Sequence, residues 1–288
     1  MLTPEELQQI HRISLQAGRR VDSLFAGGYR SAFKGRGMEF EEVRPYVPGD
    51  DVRHIDWNVT ARTQEPFIKE FREERELTLV LALDLSGSMS FGSGGRDGAT
   101  DKRLQMARLA GALAYAAVRN GDRVGLLVFT DQVELFVPPR KSRGHAWRVI
   151  RECFEHRPLR FGTDLALAAE HLGKVLKRRA VVCFVSDFLV ESGDQDYRKA
   201  LAILGQRHRT HAFVVHDPLE ERSPIAGLIE VVDAESGRPA LVDLGRLRQG
   251  LPLQGRLEIL RRAGAYTSLV STQDDPFRVL LRHFAQVR

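Results

Sequence analysis

The run LTLVLALDLSGSM, Leu77 to Met89, closes a strongly apolar stretch with an aspartate and two serines at alternate positions, Asp84, Ser86 and Ser88. Three side-chain oxygens in one turn have two uses. Asp84 can cap the turn by accepting from backbone amides, with the serines as loop filler, or the oxygens can share a cation. Two further stretches add oxygens: Thr163 in FGTDL, and Asp187 in VSDF at the end of a second apolar run. Two carboxylates and three hydroxyls make a hard oxygen set of low net charge. Such a set suits Mg²⁺ or Mn²⁺, which keeps waters or takes one ligand from elsewhere.

For these oxygens to meet, the chain must bring distant elements together. From about Lys102 onward, strand-like runs alternate with helix-like segments. KRLQMARLAGALAYAAVRNG has helical spacing and closes on Gly121, DRVGLLVFT and QVELFVPP read as a hairpin or edge extension, and AVVCFVSDF reads as a buried strand. This alternation implies a doubly wound, mostly parallel α/β sheet over residues 77–288. In such sheets ligands bind beyond the carboxyl ends of the strands, where the strand order reverses. Asp84 and Asp187 stand at two such ends, and Thr163 precedes the helix that leads into the second strand.

Residues 1–76 follow a different pattern, a small α+β N-terminal extension. We expect a helix around Pro4 to Phe25, a strand near Glu39 to Tyr46, a turn at Pro48 and Gly49, a short helix through Val52 to Arg62, and a strand from Pro66. No linker separates this region from the strand at Leu77, so packing against the α/β domain is expected. Near the C-terminal end, LIEVVDAESGRPALVDL reads as a hairpin turning at Ser236 and Gly237.

Composition narrows the class. With 43% hydrophobic and 28% charged residues the chain reads as a soluble globular protein, and its apolar runs fall short of the roughly 20 residues that span a bilayer. Acids stand where a secretory signal would be positive, so a cytoplasmic protein without a membrane span is expected. Cys153 and Cys183 lack metal-site spacing and read as buried small hydrophobes. The net charge of +5 is uneven: residues 1–76 carry −2 and the remainder +7. Part of that excess lies between Pro138 and Arg160, where Arg140, Lys141, Arg143, Arg148 and Arg151 form either a solvated basic face or a contact for an acidic partner.

The set Asp84, Ser86, Ser88, Thr163 and Asp187 resembles the metal-ion-dependent adhesion site of von Willebrand factor A domains, which join a DxSxS motif to a later threonine and a later aspartate. The preceding GRGMEFEEVRPYVPGDDVRHIDW, followed by LDLSGSM, is similar to the signature of the bacterial family called domain of unknown function 58, and this resemblance covers essentially the whole chain. It implies a von Willebrand A-type fold acting as a non-enzymatic adaptor with a MoxR-type AAA+ ATPase. In that scheme the two serines bind the ion directly, the threonine joins according to state, and the aspartates often act through water. The open position takes an Asp or Glu from a partner protein.

Other classes fit less well. A haloacid-dehalogenase-type phosphohydrolase using Asp84 needs a second acid two residues on, where this chain has Ser86. No GxSxG elbow or P-loop ending is present. Nucleic-acid binding rests on the overall basic charge alone and has no recognition motif. In PGDDVRHIDW, the residues Asp50, Asp51, Arg53, His54, Asp56 and Trp57 read first as a salt-bridged cap with Trp57 buried, and second as a partner-docking face.

Overall fold

The computed structural model describes residues 29, 38–73, 76–92, 101–190, 195–221, 228–232, 239–243 and 253–287. The helix expected at 4–25 and the turn at Ser236 and Gly237 lie outside these residues. Two compact units emerge: Phe33–Leu77, and Thr78–Arg288 together with the segment around Tyr29.

In the smaller unit β1 (Met38–Pro45) pairs antiparallel with β2 (Phe67–Glu73), with a register shift between Phe40 and Glu42. The turn between them needs Gly49, whose φ of 113° lies in the left-handed region that disfavours a Cβ. The single helix expected from Val52 is interrupted. A 3-10 turn spans Val52–His54, and α1 (Trp57–Thr63) starts afresh. Ile55 forms a bridge to Ile68, and Asp56 adopts an extended conformation in which its side chain accepts from the amides of Asn58 and Val59. A capped restart satisfies amides that a continuous helix through a bridging residue could not.

The larger unit is built on a six-stranded sheet. Its elements in chain order are β3 (Thr78–Asp84), α2 (Lys102–Arg119), β4 (Arg123–Phe129), β5 (Val133–Arg140), α3 (Arg143–Glu155), α4 (Leu165–Val175), β6 (Val181–Ser186), α5 (Gln195–Arg207), β7 (Arg209–His216), α6 (Pro218–Glu221), β8 (Leu228–Val232), β9 (Pro239–Asp243), α7 (Leu253–Arg262), β10 (Tyr266–Ser271) and α8 (Pro276–Gln286). The sheet order is β10-β7-β6-β3-β4-β5, with β8 and β9 forming a separate antiparallel pair. All pairings in the large sheet are parallel except β4 with the edge strand β5. The chain leaves β3 toward β4 on one side and returns to β6 on the other, so β3 and β6 flank the point of reversal.

Alternation along β3 explains the two layers. Val80 and Ala82 belong to a core shared with Leu165, Ala168 and Leu172 of α4, Leu201 and Leu204 of α5, and Leu257 and Leu260 of α7. Leu79, Leu81 and Leu83 alternate with them and are equally buried, on the face toward α2. Helix α2 buries a run of small residues, Ala110, Gly111, Ala112 and Ala114, and is capped at Asn120 ahead of Gly121, whose φ is +77°. Cys153 and Cys183 are free and buried as expected, and burial pushes the Cys153 thiol up to about 12.

Candidate metal centre at the carboxyl edge of the sheet

The pairing of β3 with β6 places Leu83 level with Val185, and Asp84 and Ser186 follow. Ser186 Oγ donates to Asp84 Oδ2 at 2.6 Å, and the amide of Ser86 donates to Asp84 Oδ1 at 2.9 Å. Asp84 is fully buried, and its carboxyl is pushed up to about 7 by burial and then by the neighbouring Asp187 charge, against hydrogen bonds from Ser186 and Ser86. Ser86 Oγ and Ser88 Oγ lie 3.3 Å apart, and Ser86 is nearly inaccessible while Ser88 is partly exposed.

Asp187, also fully buried, follows β6 directly. Its Oδ2 accepts from Lys102 Nζ at 2.7 Å and its Oδ1 from the Leu189 amide at 3.1 Å. Lys102 Nζ also contacts Glu220 Oε1, and Arg256 Nη1 donates to the Asp187 carbonyl. Burial alone would lower the Lys102 ammonium, yet Asp187 and Glu220 together hold it above its usual value. The next residue, Phe188, has φ 54° without being glycine, and its amide is held by Ser186 Oγ at 2.8 Å. A buried aromatic in the left-handed region is a strained position, kept here by the surrounding bonds.

Thr163 reaches the same edge on a strapped loop. The Gly87 amide donates to the Phe161 carbonyl at 2.7 Å, the Asp164 amide to the Thr130 carbonyl at 3.0 Å, and Glu134 accepts from the amides of Leu159 and Arg160 at 3.2 Å each. Asp164 then caps α4 by accepting from the Leu167 amide at 2.8 Å. The loop carrying Thr163 is thus tied directly to the turn carrying Ser86 and Ser88.

These residues fit a hard divalent cation in part. Two buried carboxylates lie near enough for the Asp187 charge to raise Asp84, a repulsion that a cation relieves, and the Ser86 and Ser88 hydroxyls lie in the same turn. Both oxygens of Asp84 and both of Asp187, however, already have donors. Among the described residues no three His, Cys, Asp or Glu side chains gather into a metal cage.

The other candidates lie elsewhere. Arg140 pairs with Val124 at the opposite end of the sheet from Asp84, and Lys141 and Arg143 follow it there. Arg148 and Arg151 are exposed along α3, where Arg151 lies 3.7 Å from Glu155. In the smaller unit Asp50 accepts two bonds from Arg44 at 2.6 and 2.8 Å, which holds its carboxyl down at about 2. Asp51 pairs with Arg53 at 2.6 Å, and Asp56 lies 3.5 Å from Lys69. His54 is partly buried in the 3-10 turn. Trp57 is 70% exposed, which overturns the expectation of a buried cap residue. Its position at the start of α1 turns it outward while Asp56 beside it does the capping.

Four residues of the centre escape a reading by motif: Ser186, Lys102, Glu220 and Arg256. Lys102 carries one signal in the sequence. A lysine at the first position of a helix opposes the helix dipole, so an anion close by is implied.

A family model described as "Protein of unknown function DUF58" matches residues 42–259, from β1 into α7. Rv1480 of Mycobacterium tuberculosis, an uncharacterized protein, is 31% identical over 236 residues, covering 81% of this chain and 72% of its own. The uncharacterized YeaD of Bacillus subtilis is 24% identical over 62% of this chain and 42% of its own. Among solved structures, an aerotolerance-related membrane protein from Bacteroides fragilis aligns over 73% of this chain and 98% of its own, with a TM-score of 0.52 and 16% identity. That likeness concerns the fold, which with its mostly parallel sheet and DxSxS turn after β3 is von Willebrand factor A-like. Among the described residues no helix is long and apolar enough to cross a membrane. The matched span includes both the PGDDVRHIDW segment and the oxygen-bearing strand ends, and the chain belongs to the DUF58 family.

Proposed function

We propose that the chain is a non-enzymatic, metal-dependent protein-interaction module. Asp84, Ser86 and Ser88, with Thr163 and Asp187 around them, would hold Mg²⁺ or Mn²⁺. When bound, the ion supplies positive charge to a carboxylate from a partner protein. The serines suit this role because hydroxyls ligate without neutralising the cation. The observation that carries the reading is the contrast between the buried anionic centre and its rim. Leu159, Phe161 and Phe91 are 82%, 55% and 45% exposed, and Phe161 and Phe91 are tied by backbone bonds to Gly87 and Lys102. Large apolar side chains around a polar centre are the composition of a docking surface.

The absence of an acid at Ser86 argues against phosphate-ester hydrolysis by Asp84, and Asp84 itself is enclosed by Ser186 and the Ser86 amide. A MoxR-type AAA+ ATPase, the partner implied by the family resemblance, is the first to test. The experiment is calorimetric titration of Mn²⁺ into the wild type and into Asp84→Ala/Ser86→Ala, followed by ATPase capture with and without EDTA. Saturable binding lost in the variant and EDTA-sensitive capture are expected. Capture indifferent to both EDTA and the substitutions would overturn the reading.

A further inference from the structure

Lys102 is anomalous on two counts. Its side chain is 1% exposed, and it is the first residue of α2, where positive charge is disfavoured by the helix dipole. Both costs are offset by the carboxylates of Asp187 and Glu220, which come from the segments after β6 and after β7. The Phe91 ring lies 5.9 Å from the ammonium. The backbone leaves little latitude: the Lys102 amide donates to the Phe91 carbonyl at 3.0 Å, and Asp101 caps the helix by accepting from the Leu104 amide.

We propose that Lys102 is a resident cation of the metal centre, which occupies Asp187 and competes with the divalent ion for its negative charge. The inference rests on the metal-binding reading given above. In this arrangement Asp84, Ser86 and Ser88 remain as the inner donors, while Asp187 is shared with the ammonium. Glu220 gives that ammonium its alternative partner. The division of Lys102 between Asp187 and Glu220 therefore sets how strongly the centre attracts a second cation.

The test titrates MnCl₂ into the full chain by calorimetry, comparing the wild type with Lys102→Met and with the charge-matched Lys102→Met/Glu220→Gln. The double variant removes one positive and one negative charge, so it keeps the buried charge balance if the single variant fails to fold. Cooperative thermal unfolding serves as the check on folding. Both variants should bind Mn²⁺ about tenfold or more tightly than the wild type, and the gain should vanish when Ser86→Ala is added. Glu220→Gln alone, which leaves the ammonium committed to Asp187, should shift affinity the other way. Wild-type binding that depends on Ser86, with no gain in the double variant, would overturn the role of Lys102 and leave the metal reading standing. No Mn²⁺ binding in any form would overturn both. Binding in the double variant but not in the wild type would support the inference most directly.

Discussion

Ser186 Oγ stands 2.6 Å from Asp84 Oδ2, a bond between two adjacent parallel strands whose partners are 102 residues apart in the chain. The same hydroxyl oxygen accepts from the Phe188 amide, so one serine fixes the carboxylate at the end of β3 and the strained turn after β6. Ser186→Ala should leave both a buried acceptor and a buried amide unsatisfied. We expect a loss of roughly 1–3 kcal/mol in urea unfolding. A change below about 0.5 kcal/mol would mean that neither group depends on Ser186.

The buried histidine pair predicts acid sensitivity. His211 Nδ1 and His283 Nε2 lie 2.7 Å apart, and Ser268 Oγ lies 2.7 Å from His283 Nδ1. Burial, with Arg209 adding to it, pushes His283 down to about 4, and burial with the His283 and Arg209 charges lowers His211 as well. Between the folded value and the unfolded value near 6.5 the unfolded chain binds more protons, so stability falls as pH drops through that window. Each histidine contributes a slope of at most about 1.4 kcal/mol per pH unit. Urea midpoints at pH 7 and pH 5 should differ accordingly, and His283→Phe, which packs against the same Phe213 and Phe284 wall, should flatten the difference.

Two glycines should answer an added methyl in opposite ways. A Cβ on Gly125 would lie 2.9 Å from Pro139 Cγ and 3.0 Å from Pro139 N, so Gly125→Ala must push the edge strand β5 away. A cost of about 1–3 kcal/mol is expected. At Gly144, near the start of α3, nothing lies within 4 Å of such a Cβ. There alanine should raise stability by up to about 1 kcal/mol. Equal thermal midpoints for the two variants would contradict the β4–β5 packing described.

Trp57 and Asp56 separate the two readings of the PGDDVRHIDW segment. Trp57→Ala should change stability by less than about 0.5 kcal/mol, because most of the ring faces solvent. Asp56→Ala removes the cap of α1 and should lower the urea midpoint measurably. A large loss at Trp57 would restore the view that the tryptophan is a structural plug.

Much of this was legible in the residues. Strand and helix periods gave β3, α2, β4 and β6 because each is a long run with one dominant pattern, and Gly121 marked a real left-handed stop. Asp84 and Asp187 could be placed at one edge because parallel strands send their carboxyl ends the same way. Lys102 and Glu220 were hidden for the opposite reason. They are 118 residues apart, and their meeting depends on where the turn after β7 lies against the start of α2. Trp57 misled because aromatic character predicts burial on average, whereas its outward position follows from the cap formed one residue earlier.

Helix α2 also sets a distance. Its 18 residues extend about 27 Å, from Lys102 at the oxygen-rich edge to a far end where a Cβ on Gly121 would lie 3.8 Å from Lys141 Cε. Charge in physiological salt is felt over about 8 Å. Under the proposed function, Arg140, Lys141 and Arg143 are therefore too far from Ser86 and Ser88 to draw a carboxylate toward them. On that same proposal, a partner that reaches both the Ser86–Ser88 turn and the Arg140–Arg143 segment must span the length of α2.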